Sequence, residues 1–134
     1  MGNPVDVEMF SKSGWALQPK DDGAVYTKDG QIIKVLKQHE FDHASMSMSV
    51  VVQINDQVHV FVKGSFEAIH KLCNDDSLPP SYMNEAQGLA ANGCYTLGVG
   101  HRCLGAVDSA AARGMSREEV LTCALLALLS CRRL

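Results

Sequence analysis

The chain has 134 residues, of which 46% are apolar and 20% charged, and its net charge is −3. This apolar content excludes a disordered chain, and folding at this length buries roughly two-thirds of the unfolded surface, so we expect one domain. The acidic balance argues against a protein that reads the nucleic-acid backbone, because such proteins carry a basic face. The five cysteines include no C-x-x-C pair, which favours reduced thiols over a disulfide framework.

The sequence contains no segment that we expect to cross a membrane. Its most apolar stretch, residues 120–131, is about 12 residues long, whereas a membrane-spanning helix needs about 20. The N-terminus carries acidic residues where a secretory signal has a basic and then an apolar region. We therefore expect a domain that folds in water and works at a membrane only as part of a larger protein.

The first half of the chain predicts one helix followed by β-strands. Asn3 and Pro4 are typical of a helix N-cap and first turn, and Gly14 is typical of a helix end. β-Branched or alternating residues predict strands over four segments: 24–27, 31–36, 48–54 and 58–62. Methionine alternates with serine over 46–49, as in a half-buried strand. Asn55-Asp56-Gln57 is typical of the turn of a β-hairpin.

The second half adds helix signals and one further strand. Ser65 can cap a helix that runs to Cys73, and the break at Pro79-Pro80-Ser81 precedes a second helix that ends near Gly93. The sequence also predicts a strand at 95–100, a loop of small residues at 110–114 and a last helix that opens at Ser116. Residues 125–129 fit either that helix or a strand. Hairpin strands mixed with helices indicate the α+β class.

One short pattern points to metal chemistry. The run from His39 through Glu40 to His43 matches the H-E-x-x-H of zinc peptidases, whose histidines bind the metal from one face of a helix while the glutamate acts as general base. Here the pattern lies between strand-like runs, Asp42 places a charge beside a histidine, and no third ligand follows at a typical spacing. We expect a solvated loop at a strand edge, with a zinc hydrolase as the alternative.

A second short pattern is Val62-Lys63-Gly64-Ser65, where a strand ends in a lysine and a capped helix begins after a glycine. A glycine lets a ligand approach the backbone, and a helix start attracts anions. The same order is also common in plain connectors, so both interpretations stay open. The pattern is not the P-loop, which needs G-x-x-x-x-G-K-[ST].

Taken in chain order, the motifs resemble those of type V P-type ATPases. The similar segments are 2–6 (GNPVD), 8–10 (EMF), 14–15 (GW), 41–50, 61–67 (FVKGSFE, similar to FVKGSPE), 72–73 (LC), 80–82 (PSY), 93–104 and 116–120 (SREEV). The resemblance covers almost the whole chain in collinear order. The GW and LC pairs favour the second subgroup, the endolysosomal polyamine pumps, over the endoplasmic-reticulum subgroup.

This resemblance implies that residues 1–134 are a nucleotide-binding domain, an excised cytosolic part of a larger membrane pump. Its fold is expected to be a twisted antiparallel sheet flanked by helices. The implied ligand is ATP, and the implied partners are the phosphorylation and actuator domains of the same polypeptide, with no nucleic acid and a monomeric state. Mg²⁺ is needed by the full-length pump but is not held by this domain. In the full-length pump, this domain is expected to lie on the cytosolic face of an endosome, lysosome, vacuole or endoplasmic reticulum.

The family's binding residues transfer to five positions. Phe41 is expected to stack on adenine, Lys63 and Gly64 to form the floor of the pocket, Asp6 to accept a hydrogen bond from the adenine amino group, and Leu97 to line the pocket. Aromatic stacking on a base contributes about 1–3 kcal/mol in single-strand binders. No catalytic residue is expected, because the family's phosphorylated D-K-T-G-T motif is absent, and the chain alone should not hydrolyse ATP.

The sequence departs from the family pattern in three respects. Phe66 replaces the proline of K-G-S-P-E, Met46 and Ser47 replace a basic residue before the conserved methionine, and Tyr95 replaces an arginine. Two cations that would face phosphate are thereby lost. We expect intact adenine recognition with weakened phosphate recognition, and the alternative is a domain of the same fold with degraded nucleotide binding that serves as a spacer or regulatory module.

Overall fold

The computed structural model describes residues 4–18, 24–73, 76, 78–116 and 124–132. Seven strands form one antiparallel sheet in the order β1-β2-β3-β4-β5-β6-β7. The elements are α1 (Pro4–Ser13), β1 (Ala16–Gln18), β2 (Val25–Lys28), β3 (Gln31–Asp42), β4 (Ser47–Ile54), β5 (Gln57–Ser65), α2 (Phe66–Leu72), α3 (Tyr82–Ala91), β6 (Cys94–Gly105), α4 (Ser109–Arg113) and β7 (Ala124–Arg132). The predicted α+β class is confirmed.

Strands adjacent in sequence are adjacent in the sheet, and two of these pairs are joined by two-residue turns. Asp29 and Gly30 both have positive φ, 50° and 82°, and connect β2 to β3. Asn55 and Asp56 connect β4 to β5 and also have positive φ, 50° and 64°. Two consecutive positive φ values match the right-handed twist of the flanking strands, which is why such turns favour hairpins. The hairpin predicted around Asn55 is confirmed.

Several predicted bounds were wrong. Strand β3 continues to Asp42, well past the expected end at residue 36, because β4 offers it a partner as far as Ser47. The expected loop at 110–114 is largely the helix α4, since alanines favour helix and Ala112 is buried in the core. Residues 125–129 lie in strand β7, which pairs along β6. Most of the last predicted helix, at 117–123, lies outside the described residues.

Helices α2, α3 and α4 cover one face of the sheet, which we call the covered face. Along β5 every second residue is buried, and these residues are Val58, Val60, Val62 and Gly64. Helix α2 contacts β5 and β6, α3 contacts β6, and α4 contacts β3 and β4. Ile69 of α2 and Ala112 of α4 are fully buried in the same cluster as the valines. The alternate residues of β5 face the other side, which we call the open face.

Helix α2 is held closely against β6 by a contact that needs a glycine. A methyl group at Gly98 would lie 2.8 Å from the Cβ of Ile69, closer than real carbon atoms approach. Ser65 caps the same helix, its hydroxyl accepting a hydrogen bond from the Ala68 N–H at 3.1 Å. The helix start is therefore formed with Phe66, rather than proline, at its first position.

Helix α3 is attached to α2 by one buried tyrosine. Tyr82 is 3% exposed, its hydroxyl donates to the Phe66 carbonyl at 2.8 Å, and its ring stacks on His70. Burial, followed by the nearby Cys73 and Glu67, raises the pKa of Tyr82 to about 12. The hydroxyl thus keeps its proton and its hydrogen bond throughout the physiological range.

The contact at Gly98 predicts a destabilising effect for a single methyl group. Gly98→Ala should lower the free energy of unfolding by about 1–3 kcal/mol, because α2 must move away from the sheet. Gly88→Ala is the matched control, since a methyl group at this exposed position of α3 meets no atom within 4 Å. That change should raise stability by up to about 1 kcal/mol. Urea unfolding of the three proteins measures both effects, and equal stability of the wild type and Gly98→Ala would contradict the packing described.

Candidate functional site

The open face carries a pocket of about 580 Å³ between α1 and the central strands. Its lining residues come from successive elements of the chain: Phe10, Trp15, Ala24, Tyr26, Ile33, Val35, Gln38, Met48, Ser49, Val50, Val52, Phe61, Val62, Lys63 and Val99. This volume lies in the range of small-molecule sites, and most of the lining is apolar, as such sites usually are.

The strand registers explain how the pocket floor is assembled. Met48 of β4 is paired with Lys63 of β5, which is paired with Val99 of β6, so the three residues form a row across the sheet. Paired residues share a face of the sheet, and residues two apart along a strand share it as well. Val50 and Phe61 form the next row in the same way.

Aromatic residues form the wall beside this floor. Phe10 of α1 meets Tyr26 of β2 edge to face, with ring centroids 5.7 Å apart, and Trp15 follows the helix. The end of α1 is attached to β2, because the Lys28 ammonium donates to the Ser13 carbonyl at 2.7 Å. An aromatic wall and an apolar floor suit a planar ring, which packs by stacking or edge contacts.

Lys63 is the one charged residue among the described residues that line the pocket. It lies near the end of β5, two residues before the cap of α2, and is half-buried. A cation beside an apolar surface can bind a ligand that combines a ring with an anionic group. Among the described lining residues, the arrangement offers a cation beside an apolar surface and no pair of acid and base side chains.

Phe41 lies at the end of β3 and is outside the pocket lining. Its side chain is 45% exposed, and its ring meets that of His43 at 5.1 Å. Asp42 is paired with Ser47, which is buried on the covered face. The preceding residue, Phe41, is accordingly placed toward the open face, where Met48 and Lys63 lie.

The other expected site residues have different positions. Leu97 is half-buried and two residues before Val99 on β6, so it shares the open face beyond the pocket lining. Gly64 is buried on the covered face, next to Lys63. Asp6 lies in α1, but its side chain belongs to the part of the chain that the structure does not describe.

Gly64 holds a turn in place beneath the site. The turn, residues 43–46, connects β3 to β4, and its last carbonyl, that of Met46, accepts a hydrogen bond from the Ser65 N–H at 3.2 Å. A methyl group at Gly64 would lie 2.5 Å from that oxygen.

Met46 has φ of 51° and is 44% exposed, so its prediction as a strand residue was wrong. The Asp42 carboxylate accepts from the N–H groups of Ala44 and Ser45 and closes the turn.

The H-E-x-x-H pattern does not form the helix that its zinc chemistry needs. His39 and Glu40 lie in β3, so the expected solvated loop was wrong, and His43 lies in the turn. The two ring nitrogens of His39 are 3.1 Å from the Ser49 hydroxyl and 3.1 Å from the Met115 carbonyl. Within the described ranges no three His, Cys, Asp or Glu residues form a group able to hold a metal. The geometry gives the zinc-hydrolase alternative no support.

The aromatic wall was not among the site residues expected from sequence. Tyr26, Trp15 and Phe61 line the pocket although no role was assigned to them. Phe61 had a usable signal, because it is two residues before Lys63 in a predicted strand and must share its face. Tyr26 reaches the pocket through its pairing with Ile33, and Trp15 does so because it follows α1, which packs against β2. Local patterns encode neither the pairing of β2 with β3 nor the packing of α1.

Comparison with known proteins finds several transport ATPases. The chain is 30% identical over 144 residues to the human polyamine-transporting ATPase 13A2, covering 90% of the chain and 12% of that protein. It is 24% identical over 122 residues to the mouse probable cation-transporting ATPase 13A5 (77% and 10%) and 24% identical over 134 residues to the Arabidopsis thaliana probable manganese-transporting ATPase PDR2 (98% and 11%). No family model matches the chain.

The chain thus spans about a tenth of the length of the curated relatives it matches. These relatives are type V P-type ATPases, and the chain is homologous to one segment of them. Across the residues with described structure, no helix is long and apolar enough to span a membrane.

The contact beneath the site predicts a local effect for a second glycine substitution. Gly64→Ala should destabilise the fold by about 1–3 kcal/mol and displace the turn 43–46, because the added methyl group meets the Met46 carbonyl. Gly98→Ala is the control, since its clash is with Ile69 of α2 instead. Amide chemical shifts should change most around the turn in the first variant and most in α2 in the second. The same pattern of shifts in both variants would contradict a separate role for Gly64.

Proposed function

We propose that this chain is the nucleotide-binding domain of a type V P-type ATPase and that it binds ATP at the open-face pocket. The observation that carries the proposal is the pocket itself, an apolar and aromatic surface whose one described lining charge is Lys63. This lysine stands in the Phe61–Glu67 segment that resembles the family's FVKGSPE signature. Homology to transport ATPases supports the same assignment.

The adenine ring is proposed to bind at the Lys63 end of the pocket. Phe41, half-exposed at the end of β3, would stack on one face of the base, and the floor row of Met48, Lys63 and Val99 would contact the other. Leu97 extends the same floor by one more residue of β6. Asp6 would accept a hydrogen bond from the adenine amino group. Stacking on the base does not depend on the number of phosphates on the ribose, so the Lys63 end of the pocket would recognise the nucleoside.

Phosphate recognition is proposed to be weak. Lys63 supplies positive charge at the pocket. Met46, in the exposed turn 43–46, is apolar where the family has a basic side chain. An exposed cation near a phosphate contributes at most about 1 kcal/mol and is screened by salt. ATP, ADP and AMP should consequently bind with similar and modest affinity.

In the full-length protein, the proposed role is to deliver ATP to an aspartate in the phosphorylation domain of the same polypeptide. The pump would then be an ATP-driven translocase for a cation or polyamine, assisted by an actuator domain and located in an endomembrane with this domain on its cytosolic face. The subgroup of endolysosomal polyamine pumps is preferred on the GW and LC motifs. Mg²⁺ would be held where the phosphate is transferred, outside this segment, so the monomeric chain alone should not hydrolyse ATP.

A second candidate function has its own support. Phe41 is outside the pocket lining, and Met46 brings no charge, which is what a domain with degraded nucleotide binding would show. Such a domain would keep the fold and act as a spacer or regulatory module. The two candidates differ in one measurable quantity, the affinity for nucleotide.

Calorimetry of two substitutions tests the proposed ring and charge contacts. Phe41→Ala should weaken ATP, ADP and AMP by a common factor, corresponding to about 1–3 kcal/mol of stacking. Lys63→Met should weaken the binding of ATP and ADP in low salt, and the effect should fade as salt rises because a charge in a pocket open to solvent is screened by ions.

Matched controls exist for both substitutions. Ile32→Ala removes another exposed apolar side chain of β3, one residue from the pocket residue Ile33 and so on the opposite face, and Lys71→Met removes an exposed charge from α2. Both controls should bind like the wild type. If wild type and Phe41→Ala bind nucleotide equally, the stacking assignment is wrong, and if the wild type binds none at millimolar concentration, the spacer function takes its place.

A further inference from the structure

Two histidines on neighbouring strands touch on the open face, beside the pocket. Nδ1 of His59 on β5 and Nε2 of His101 on β6 are 2.9 Å apart, and the rings stack at 5.1 Å with 21° between their planes. Both side chains are half-buried. Phe61, which lines the pocket, supports the His101 ring at 4.9 Å. The strands thus present two ring nitrogens at one point accessible to solvent.

This separation is close to that of two ligands on one metal ion. Imidazole nitrogens bind zinc at about 2.0–2.1 Å, so two of them at a tetrahedral angle are about 3.3 Å apart. From the observed 2.9 Å the nitrogens must move apart by a few tenths of an ångström, and each ring must turn by roughly 35° so that both lone pairs point at one ion instead of along the line between the nitrogens. His59 and His101 are diagonal neighbours on two paired strands, because His59 is opposite Cys103 and His101 is opposite Phe61.

The protonation states also permit coordination. In the hydrogen-bonded pair one facing nitrogen carries a hydrogen and the other accepts it. When a metal binds, that hydrogen transfers through solvent to the other nitrogen of the same ring, so both facing nitrogens offer lone pairs and no net proton is released.

The remaining histidines are arranged differently. The nitrogens of His39 are engaged by Ser49 and the Met115 carbonyl, and the ring of His43 lies against Phe41. His70 stacks on Tyr82 at the far side of the molecule, among the helices. The His59–His101 pair is therefore the place in the described structure where two imidazole nitrogens converge.

We propose that His59 and His101 together bind one divalent transition-metal ion of the class that prefers imidazole, such as Ni²⁺ or Zn²⁺, with water completing its coordination. Two protein ligands are assigned because, among the residues whose positions are described, no third His, Cys, Asp or Glu joins the group. Cys103 is the register partner of His59 and is exposed, but it is not assigned as a ligand. The proposal does not depend on nucleotide binding.

Titration of the full 134-residue chain, free of any affinity tag, with Ni²⁺ tests this assignment. Calorimetry at neutral pH should give one ion per chain, and the ion should raise the thermal unfolding midpoint of the wild type because it binds the native state. His59→Gln and His101→Gln should each weaken binding roughly 100-fold or more, since each removes one arm of a chelate. Both variants keep a polar side chain, and their unfolding midpoints without metal report whether they fold.

Two control variants assign the ligands. His43→Gln removes half of the H-E-x-x-H pattern, and Cys103→Ser removes the neighbouring thiol, and both should bind Ni²⁺ like the wild type. The proposal is overturned if the wild type binds no Ni²⁺ at millimolar concentration, or if a folded His59→Gln or His101→Gln variant keeps the wild-type affinity. Loss of binding in either control would equally overturn it, because the metal would then have different ligands.

Discussion

The close approach at two paired glycines is the constraint on which the rest of the structure depends. Gly64 of β5 and Gly98 of β6 are opposite each other in the sheet, and both are buried on the covered face. Ile69 of α2 occupies the space that a side chain at Gly98 would need, and the Met46 carbonyl lies over Gly64. The helix layer and the turn 43–46 can thus both pack directly on the backbone of the sheet.

This constraint also positions the open-face site. Lys63 and Val99, neighbours of the two glycines in sequence, are paired and point to the opposite face because side chains alternate along a strand. The turn held by Gly64 connects the strand end that carries Phe41 to β4, which carries Met48. Contacts made on the covered face consequently place Lys63, the one charged residue among the described lining residues, and the proposed ring-binding residues on the open face, with Phe41 outside the pocket lining.

Local sequence patterns predicted correctly the features that depend only on neighbouring residues. The hairpin at Asn55-Asp56, the cap at Ser65 and the end of α1 at Gly14 depend on backbone conformations of neighbouring residues, and all three are present. The full length of β3 and the strand β7 depend on partners distant in sequence, and so their extents were missed or left open. Met46 was misplaced because alternation with serine resembles a strand, whereas the Gly64 contact bends the chain into a turn.

The candidate site could be predicted only in part for the same reason. Lys63 was found from its motif and does line the pocket, while Tyr26 is placed there by the pairing of β2 with β3 and Trp15 by the packing of α1 on β2. An NMR titration of the isotope-labelled chain with ATP shows whether the open face binds nucleotide. Saturable shifts are expected for the amides of Lys63, Gly64 and the residues around Phe41, with α3 unaffected. No saturable shift at millimolar ATP, or shifts confined to α3, would contradict binding of ATP at the open face.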